Sequence, residues 1–181
     1  MTCENFILEI PNAFSADWCN DMIKTFNEHP EMHKVGGFSD IDGNLKADDT
    51  RKKDTEIGFD PSYEKNDVWG DKICFLIDEM AKYMNVYIDK YSFPDNVSDN
   101  INGLTGISPM LIEADFNMQK FEPNEGFFQW HTETVSDRNS YRQIVWSIYL
   151  NTIKEKGGTE FKFQNYRCAA EQGKVVIWPA G

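Results

Sequence analysis

The chain has 181 residues, of which 30 are acidic and 18 basic, giving a formal net charge of −12. This length suits a single domain (1–181) able to bury a core, and 40% hydrophobic with 14% aromatic residues excludes a disordered chain. The acidic balance disfavours nucleic acid or an anionic membrane surface as partner, and no apolar run approaches the roughly 18–20 residues that span a bilayer.

The amino terminus, MTCENFILEIPNAFSADW, has no basic start and only the short apolar stretch FILEI, so it does not read as a signal peptide. A short strand is expected at 6–10. Ser15 suits the N-cap of a helix over 16–27, in which Trp18, Met22 and Phe26 recur at i, i+4 and i+8 to form one apolar stripe. Pro30 ends that helix. Residues 33–62 hold five of the Gly and Pro punctuators and many charges. They read as a long mobile loop with a short strand at 55–59, and the run DDTRKK (48–53) reads as a solvated stretch that acts as a lid. A second helix is expected over 67–87, where Ile73, Leu76, Ile77, Met80, Tyr83, Met84 and Tyr87 keep helical spacing. The stretch SFPDNVSDNINGLTG is a connector.

From 108 onward the pattern is one of strands: 110–121, 127–133, 141–151, then GTEFKF, YRC and KVVIWPA. Both faces of YRQIVWSIYLN carry bulk, as in an inner strand of a sandwich or barrel. Helices followed by strands define an α+β chain, and short strands between turns suggest a jelly roll flanked by N-terminal helices. Cys3, Cys19, Cys74 and Cys168 show neither CxxC nor zinc-finger spacing. Four free thiols point to a reducing compartment and a cytoplasmic location.

Three histidines occur: His29, His33 and His131. His29 and His33 sit at a helix end and read as solvent-exposed. His131 lies in Gln129-Trp130-His131-Thr132-Glu133. On a strand, residues i and i+2 share a face, so His131 and Glu133 set an imidazole beside a carboxylate. That is two thirds of the 2-His-1-carboxylate set that holds non-haem Fe(II), with side chains expected about 3–4 Å apart for ligand bonds near 2 Å. Phe127, Phe128, Trp130 and Trp146 read as core, and Arg138 and Arg142 as solvated.

The segments MQKFEPNEGFFQWHTE, SIYLN, GGTEF and GKVVIWPAG, taken together and in this order, resemble the iron- and 2-oxoglutarate-dependent dioxygenases of the prolyl-4-hydroxylase-like branch. The resemblance covers about the last third of the chain. It implies a double-stranded β-helix, Fe(II) at His131 and Glu133, and 2-oxoglutarate as co-substrate, with ascorbate a further cofactor candidate. It places Tyr149, Thr159 and Phe121 at the co-substrate. The implied reaction is hydroxylation of a peptidyl, prolyl-like side chain or of a small molecule.

Three features depart from the family pattern. Glu133 stands where Asp is usual, and Phe121 where a tyrosine is usual. The second metal histidine and the basic residue that pairs with the far carboxylate of 2-oxoglutarate would follow Trp-Pro-Ala-Gly, and neither is in 1–181. The chain is therefore expected to be a truncated, inactive piece whose barrel is incomplete. Such a piece would keep an exposed strand edge and either pair as a two-fold dimer through it or lose order near 174–181. The alternatives are a non-catalytic jelly-roll binding module that has lost iron, and a nucleic-acid dealkylase on the same fold.

Overall fold

A computed structural model describes residues 5–39, 45–91, 115–134 and 140–181. In chain order the elements are β1 (Leu8–Ile10), α1 (Ala16–Glu28), a 3-10 turn (Pro30–Met32), β2 (Lys34–Val35), β3 (Phe38–Ser39), β4 (Leu45–Lys46), β5 (Lys52–Lys53) and β6 (Thr55–Phe59). A second 3-10 turn (Pro61–Lys65), α2 (Gly70–Tyr91), β7 (Phe116–Lys120), β8 (Gly126–Phe127), β9 (Ile144–Tyr149), β10 (Thr159–Phe161), β11 (Tyr166–Cys168) and β12 (Lys174–Pro179) follow. The result is an α+β chain with antiparallel strand pairs. It divides into two compact units, one of residues 1–58 with 117–181 and one of 59–116.

In the first unit β12 is the middle strand of a sheet ordered β1-β12-β9. Val175, Val176 and Ile177 are fully buried there, each side chain contributing about 1.5–3 kcal/mol on transfer from water. Pairing runs Leu8↔Ile177 on one edge and Tyr149↔Lys174 through Ile144↔Pro179 on the other. Both edges of the last strand are thus paired, with β1 on one side and β9 on the other. A second sheet, the β10–β11 hairpin, faces this one through a cluster of Ile7, Cys168 and Val176, with Tyr149, Phe161 and Trp178 packed on it. The Phe161 and Trp178 rings meet edge to face at 5.5 Å.

α1 begins where Ser15 suggests, its hydroxyl accepting from the Trp18 N–H at 3.2 Å. Its stripe buries Cys19, Met22 and Phe26. The turn before β12 requires glycine: Gly173 has φ +77°, and a Cβ there would lie 2.1 Å from the Phe14 carbonyl. Its N–H donates to Tyr149 O at 2.8 Å and its carbonyl accepts from Phe14 N at 3.0 Å, which ties the start of α1 to the β9–β12 ladder.

The loop expected over 33–62 holds four two-residue strands besides β6. β2 joins β6 and β7 in one sheet, β3 pairs with β4, and β5 pairs with β8. These two-residue strands leave too little periodicity to be seen in sequence, whereas the five-residue β6 was expected at its observed bounds. Only 116–120 of the strand expected over 110–121 is extended; 110–114 lie outside the described residues.

In the second unit the Asn66 side chain accepts from Val68 N and Trp69 N at 2.9 and 3.0 Å and so launches α2 three residues later than expected. Ile73, Leu76, Met80, Met84 and Tyr87 form its buried stripe. Phe59 and Trp69, both fully buried, meet edge to face at 5.0 Å. No helix among the described residues is long and apolar enough to cross a membrane.

One ion pair fastens β1 to β12. Lys174 Nζ donates to Glu9 Oε2 at 2.7 Å with its side chain nearly buried, and the Tyr166 hydroxyl donates to the other Glu9 oxygen. Burial pushes the Glu9 carboxyl up, but hydrogen bonds from Lys174, Tyr166 and Cys168 outweigh it and leave its pKa lowered. A lowered carboxyl contributes stability above its ordinary range and loses it as pH falls through the folded value. Glu9→Gln is expected to destabilise the fold by about 1–3 kcal/mol at neutral pH, with the gap to the parent narrowing as pH drops through the acid range. Urea unfolding of both proteins at neutral pH and near pH 4 checks this; a pH-independent gap would contradict it.

Candidate functional site

The segment that carries His131 is held by the polar stretch before β6. Lys52 pairs with Phe127 and Lys53 with Gly126, and the Phe128 N–H donates to Arg51 O at 2.8 Å. Side chains repeat the clamp. Arg51 donates from Nε to Gln129 Oε1 while its guanidinium lies 3.8 Å above the Phe38 ring, and Lys53 Nζ stands 3.4 Å from Glu125 Oε1.

After Phe128 the chain leaves the ladder, which corrects the expected strand over 127–133: only Gly126–Phe127 is extended. Its polar groups find other partners. Gln129 O accepts from the His131 ring two residues on, and the Glu133 N–H donates to Ala180 O at 2.9 Å, just past β12.

His131 and Glu133 nevertheless meet, with Nε2 3.3 Å from Oε1. The ring is fixed twice: Nδ1 contacts Gln129 O at 2.9 Å, and the face stacks on Phe127 with centroids 3.8 Å apart. A proton on Nδ1, donated to that carbonyl, leaves Nε2 as the lone-pair nitrogen, as in metal-ligating histidines. The Glu133 carboxylate raises the His131 pKa against burial, and the His131 partner lowers that of Glu133, helped by Arg142 and Lys52. Arg142 is half-buried, with Nη1 3.9 Å from Glu133 Oε2; the sequence suggested a solvated side chain. Arg138 lies outside the described residues.

These two side chains fit two positions of a divalent-metal sphere. A third protein donor is not beside them: no group of three or more His, Cys, Asp or Glu side chains able to hold a metal occurs among the described residues. His29 and His33 serve local contacts. His29 Nδ1 lies 2.8 Å from Glu31 Oε1, and His33 contacts Phe26 O at 2.8 Å and stacks on the Phe26 ring.

The co-substrate residues fall into a separate group. The Tyr149 hydroxyl is 2.7 Å from Thr159 Oγ1, which joins β9 to β10, and burial drives the Tyr149 pKa up. Cys168, fully buried, interacts with Tyr149 and with Glu9. Burial and the Glu9 carboxylate push its thiol to about 12, so it is inert at neutral pH. Tyr149 pairs with Lys174 at one end of the β9–β12 ladder, while Glu133 hangs from Ala180 beyond the other. The backbone between Ile144 and Tyr149 spans about 17 Å. The structure therefore brings together His131 with Glu133, and Tyr149 with Thr159, but not the two pairs with one another. Phe121, after β7, is exposed. Phe127, Phe128 and Trp130 are exposed too, against the expectation that they form core, because the segment has turned out of the sheet.

The run at 48–53, expected to be solvated, contains the most consequential residue that the sequence reading missed. Lys52 is 3% exposed. Its Nζ donates to Glu56 Oε2 at 2.7 Å and Gly37 O at 3.1 Å and lies 3.3 Å from Asp54 Oδ2. Asp54 is buried, and among the described residues neither of its oxygens has a well-formed hydrogen bond. Burial and the Glu56 charge raise its pKa, against the pull of Lys52. The available signal was Lys52-x-Asp54-x-Glu56, opposite charges at strand period on one face.

No protein-family model matches the sequence, and no curated protein does. Solved structures do match. A prolyl-4-hydroxylase from Pseudomonas putida aligns with a TM-score of 0.58 at 12% identity, over 98% of this chain and 82% of that one. A viral collagen prolyl hydroxylase from Paramecium Bursaria Chlorella virus-1, solved as a 2OG complex, aligns with a TM-score of 0.52 at 14% identity, over 96% and 77% of the two chains. At such identities the likeness is one of fold, and that fold is prolyl-4-hydroxylase-like.

Lys52→Met leaves two buried carboxylates without their cation and is expected to destabilise by about 3–5 kcal/mol. Lys53→Met, on the exposed neighbour, is expected to change stability by less than about 1 kcal/mol. Chemical unfolding of both variants checks the contrast; equal effects would show that Lys52 is not the internal anchor.

Proposed function

We propose that the protein is an Fe(II)- and 2-oxoglutarate-dependent dioxygenase that hydroxylates a peptidyl, prolyl-like side chain or a small molecule. The observation that carries this reading is the convergence of His131 Nε2 and Glu133 Oε1 at 3.3 Å in a chain whose fold is shared with prolyl hydroxylases. In the same reading the β1-β12-β9 sheet and the β10–β11 hairpin belong to a double-stranded β-helix. Iron, when bound, would supply the redox chemistry, with O2 as the oxidant and 2-oxoglutarate oxidised to succinate and CO2 alongside the substrate.

The residues contribute placement. Gln129 O and the Phe127 face fix the His131 ring, so Nε2 faces Glu133 without a rotameric search. The Ala180 carbonyl fixes the Glu133 backbone. Tyr149 and Thr159 form a polar pair among apolar neighbours that joins β9 to β10. The exposed Trp130 and Phe128 beside the pair offer apolar surface to a substrate.

A second reading, a non-catalytic jelly-roll binding module without iron, is favoured by one observation: the two donors have a guanidinium near them and no third ligand among the described residues.

The first reading predicts that the chain binds Fe(II) but forms little or no succinate from 2-oxoglutarate, because no third protein donor stands beside the pair among the described residues. It also predicts that His131→Ala and Glu133→Ala each weaken metal binding by more than the roughly 10–100-fold typical of losing an outer-shell partner. Metal titration and succinate assay of the three proteins check this. Undiminished metal binding in both variants would move the metal elsewhere, and no metal binding by the parent would favour the second reading.

A further inference from the structure

We propose that Asp54 is a proton-carrying positioning residue: the folded chain binds one proton on its carboxyl, and that proton sets how firmly the 48–56 segment grips the segment that carries His131. The inference stands on the Lys52 cluster alone and needs no metal at the His131–Glu133 pair.

The first observation is the sharing of one ammonium. The side chains of Lys52, Asp54 and Glu56 are 3%, 0% and 10% exposed. Lys52 Nζ donates to Glu56 Oε2 at 2.7 Å and to Gly37 O at 3.1 Å, whereas Asp54 Oδ2, 3.3 Å away, receives no well-formed hydrogen bond. Glu56 Oε2 also has the Gln119 amide at 3.5 Å. One cation serves two acids, and it serves Glu56 first. With both acids ionised, the cluster keeps an uncompensated negative charge in the interior; a proton on the less well-served acid removes it.

The second observation is enclosure. Both Asp54 oxygens are shut from solvent. Gly36 closes over them: its N–H donates to Asp54 O at 3.1 Å, and a Cβ there would fall 1.6 Å from Oδ1 and 2.9 Å from Oδ2. The charged groups that act on the carboxyl are Lys52 on β5, Glu56 on β6 and Glu125 ahead of β8. Gly36 and Gly37 between β2 and β3, and Gln119 on β7, bring no charge. Burial is the largest influence; with the two acids it outweighs Lys52 and raises the Asp54 pKa.

The third observation is the connection to the site. β5 pairs with Gly126 and Phe127, Arg51 O accepts from Phe128 N–H at 2.8 Å, and the Phe127 ring stacks on His131. An ionised Asp54 competes with Glu56 and Gly37 for the ammonium and is relieved by opening toward water, which loosens the strand under Phe127. A proton on Asp54 ends that competition.

A carboxyl whose pKa is raised by folding contributes stability that is complete below its ordinary value of about 3.9 and is lost as pH rises through the folded value. Asp54→Asn copies the protonated group in shape and charge. In urea unfolding, the ratio of the parent's unfolding constant to that of Asp54→Asn is expected to rise about fivefold or more between roughly pH 4 and pH 8, the Glu9 contribution cancelling because both proteins carry it. A ratio that stays flat or falls overturns the proposal. The carbon-13 signal of the Asp54 carboxyl reads the same proton in the parent without a variant. A midpoint above about 3.9 is expected, and one at or below it overturns the proposal. Amide exchange reads the positioning. Through that midpoint, protection of the Phe128 N–H is expected to fall about threefold or more beyond that of Met80 in α2, in the parent and not in Asp54→Asn. Equal falls at both amides overturn the link between the proton and the site.

Discussion

A single ammonium group buried between two carboxylates sets the position of the imidazole side of the candidate site. Lys52 cannot move outward without stranding Asp54 and Glu56 in the interior, and it cannot lose its charge without the same result. Its backbone is therefore a fixed rail, and Gly126 and Phe127 pair along it. The Phe127 ring is then in place to stack on His131, and the Arg51 carbonyl and guanidinium hold Phe128 and Gln129. Close packing tightens the arrangement: a side chain at Gly36 would collide with Asp54, its Cβ falling 1.6 Å from Oδ1. A polar cluster in the interior thus gives precision to a segment that has little regular structure of its own.

The other support is β12. Central in its sheet, it carries the apolar contacts to the β10–β11 hairpin on one face, and through Ala180 it receives the backbone of Glu133. The imidazole is thus referred to the 48–56 segment and the carboxylate to β12. The 3.3 Å approach of the two side chains is the meeting point of two independently anchored pieces of chain. Rigid elements supporting a site from two directions are what metal ligation requires, because ligand bonds tolerate errors of only a few tenths of an ångström.

Much of this was legible in the sequence, for identifiable reasons. Ser15 and the stripe Trp18, Met22, Phe26 gave α1 almost to the residue, because a cap and a 3.6-residue period are local signals. The alternation in 144–149 and the apolar run in 174–179 gave β9, half-buried throughout, and β12, largely buried on both sides. The i, i+2 placement of His131 and Glu133 brought the pair together even though the strand from which it was reasoned ends at Phe127. Local hydrogen bonds, not a ladder, keep both side chains on one side.

What was not legible depended on partners distant in sequence. Lys52 looks like any lysine in a charge run; its burial is decided by Gly37, Asp54 and Glu56 folding around it. The aromatic residues 127, 128 and 130 looked like core because hydrophobicity does not say which way a segment turns after its last paired residue. Arg142 became a neighbour of Glu133 only once Ala180 drew that segment against the start of β9. The most direct measurement of the central claim is anomalous diffraction at the manganese edge from crystals grown with Mn(II) and 2-oxoglutarate. The account predicts one peak about 2.0–2.2 Å from both His131 Nε2 and a Glu133 carboxylate oxygen. A peak bound elsewhere, or His131 and Glu133 still paired to each other with no metal between them, would contradict it.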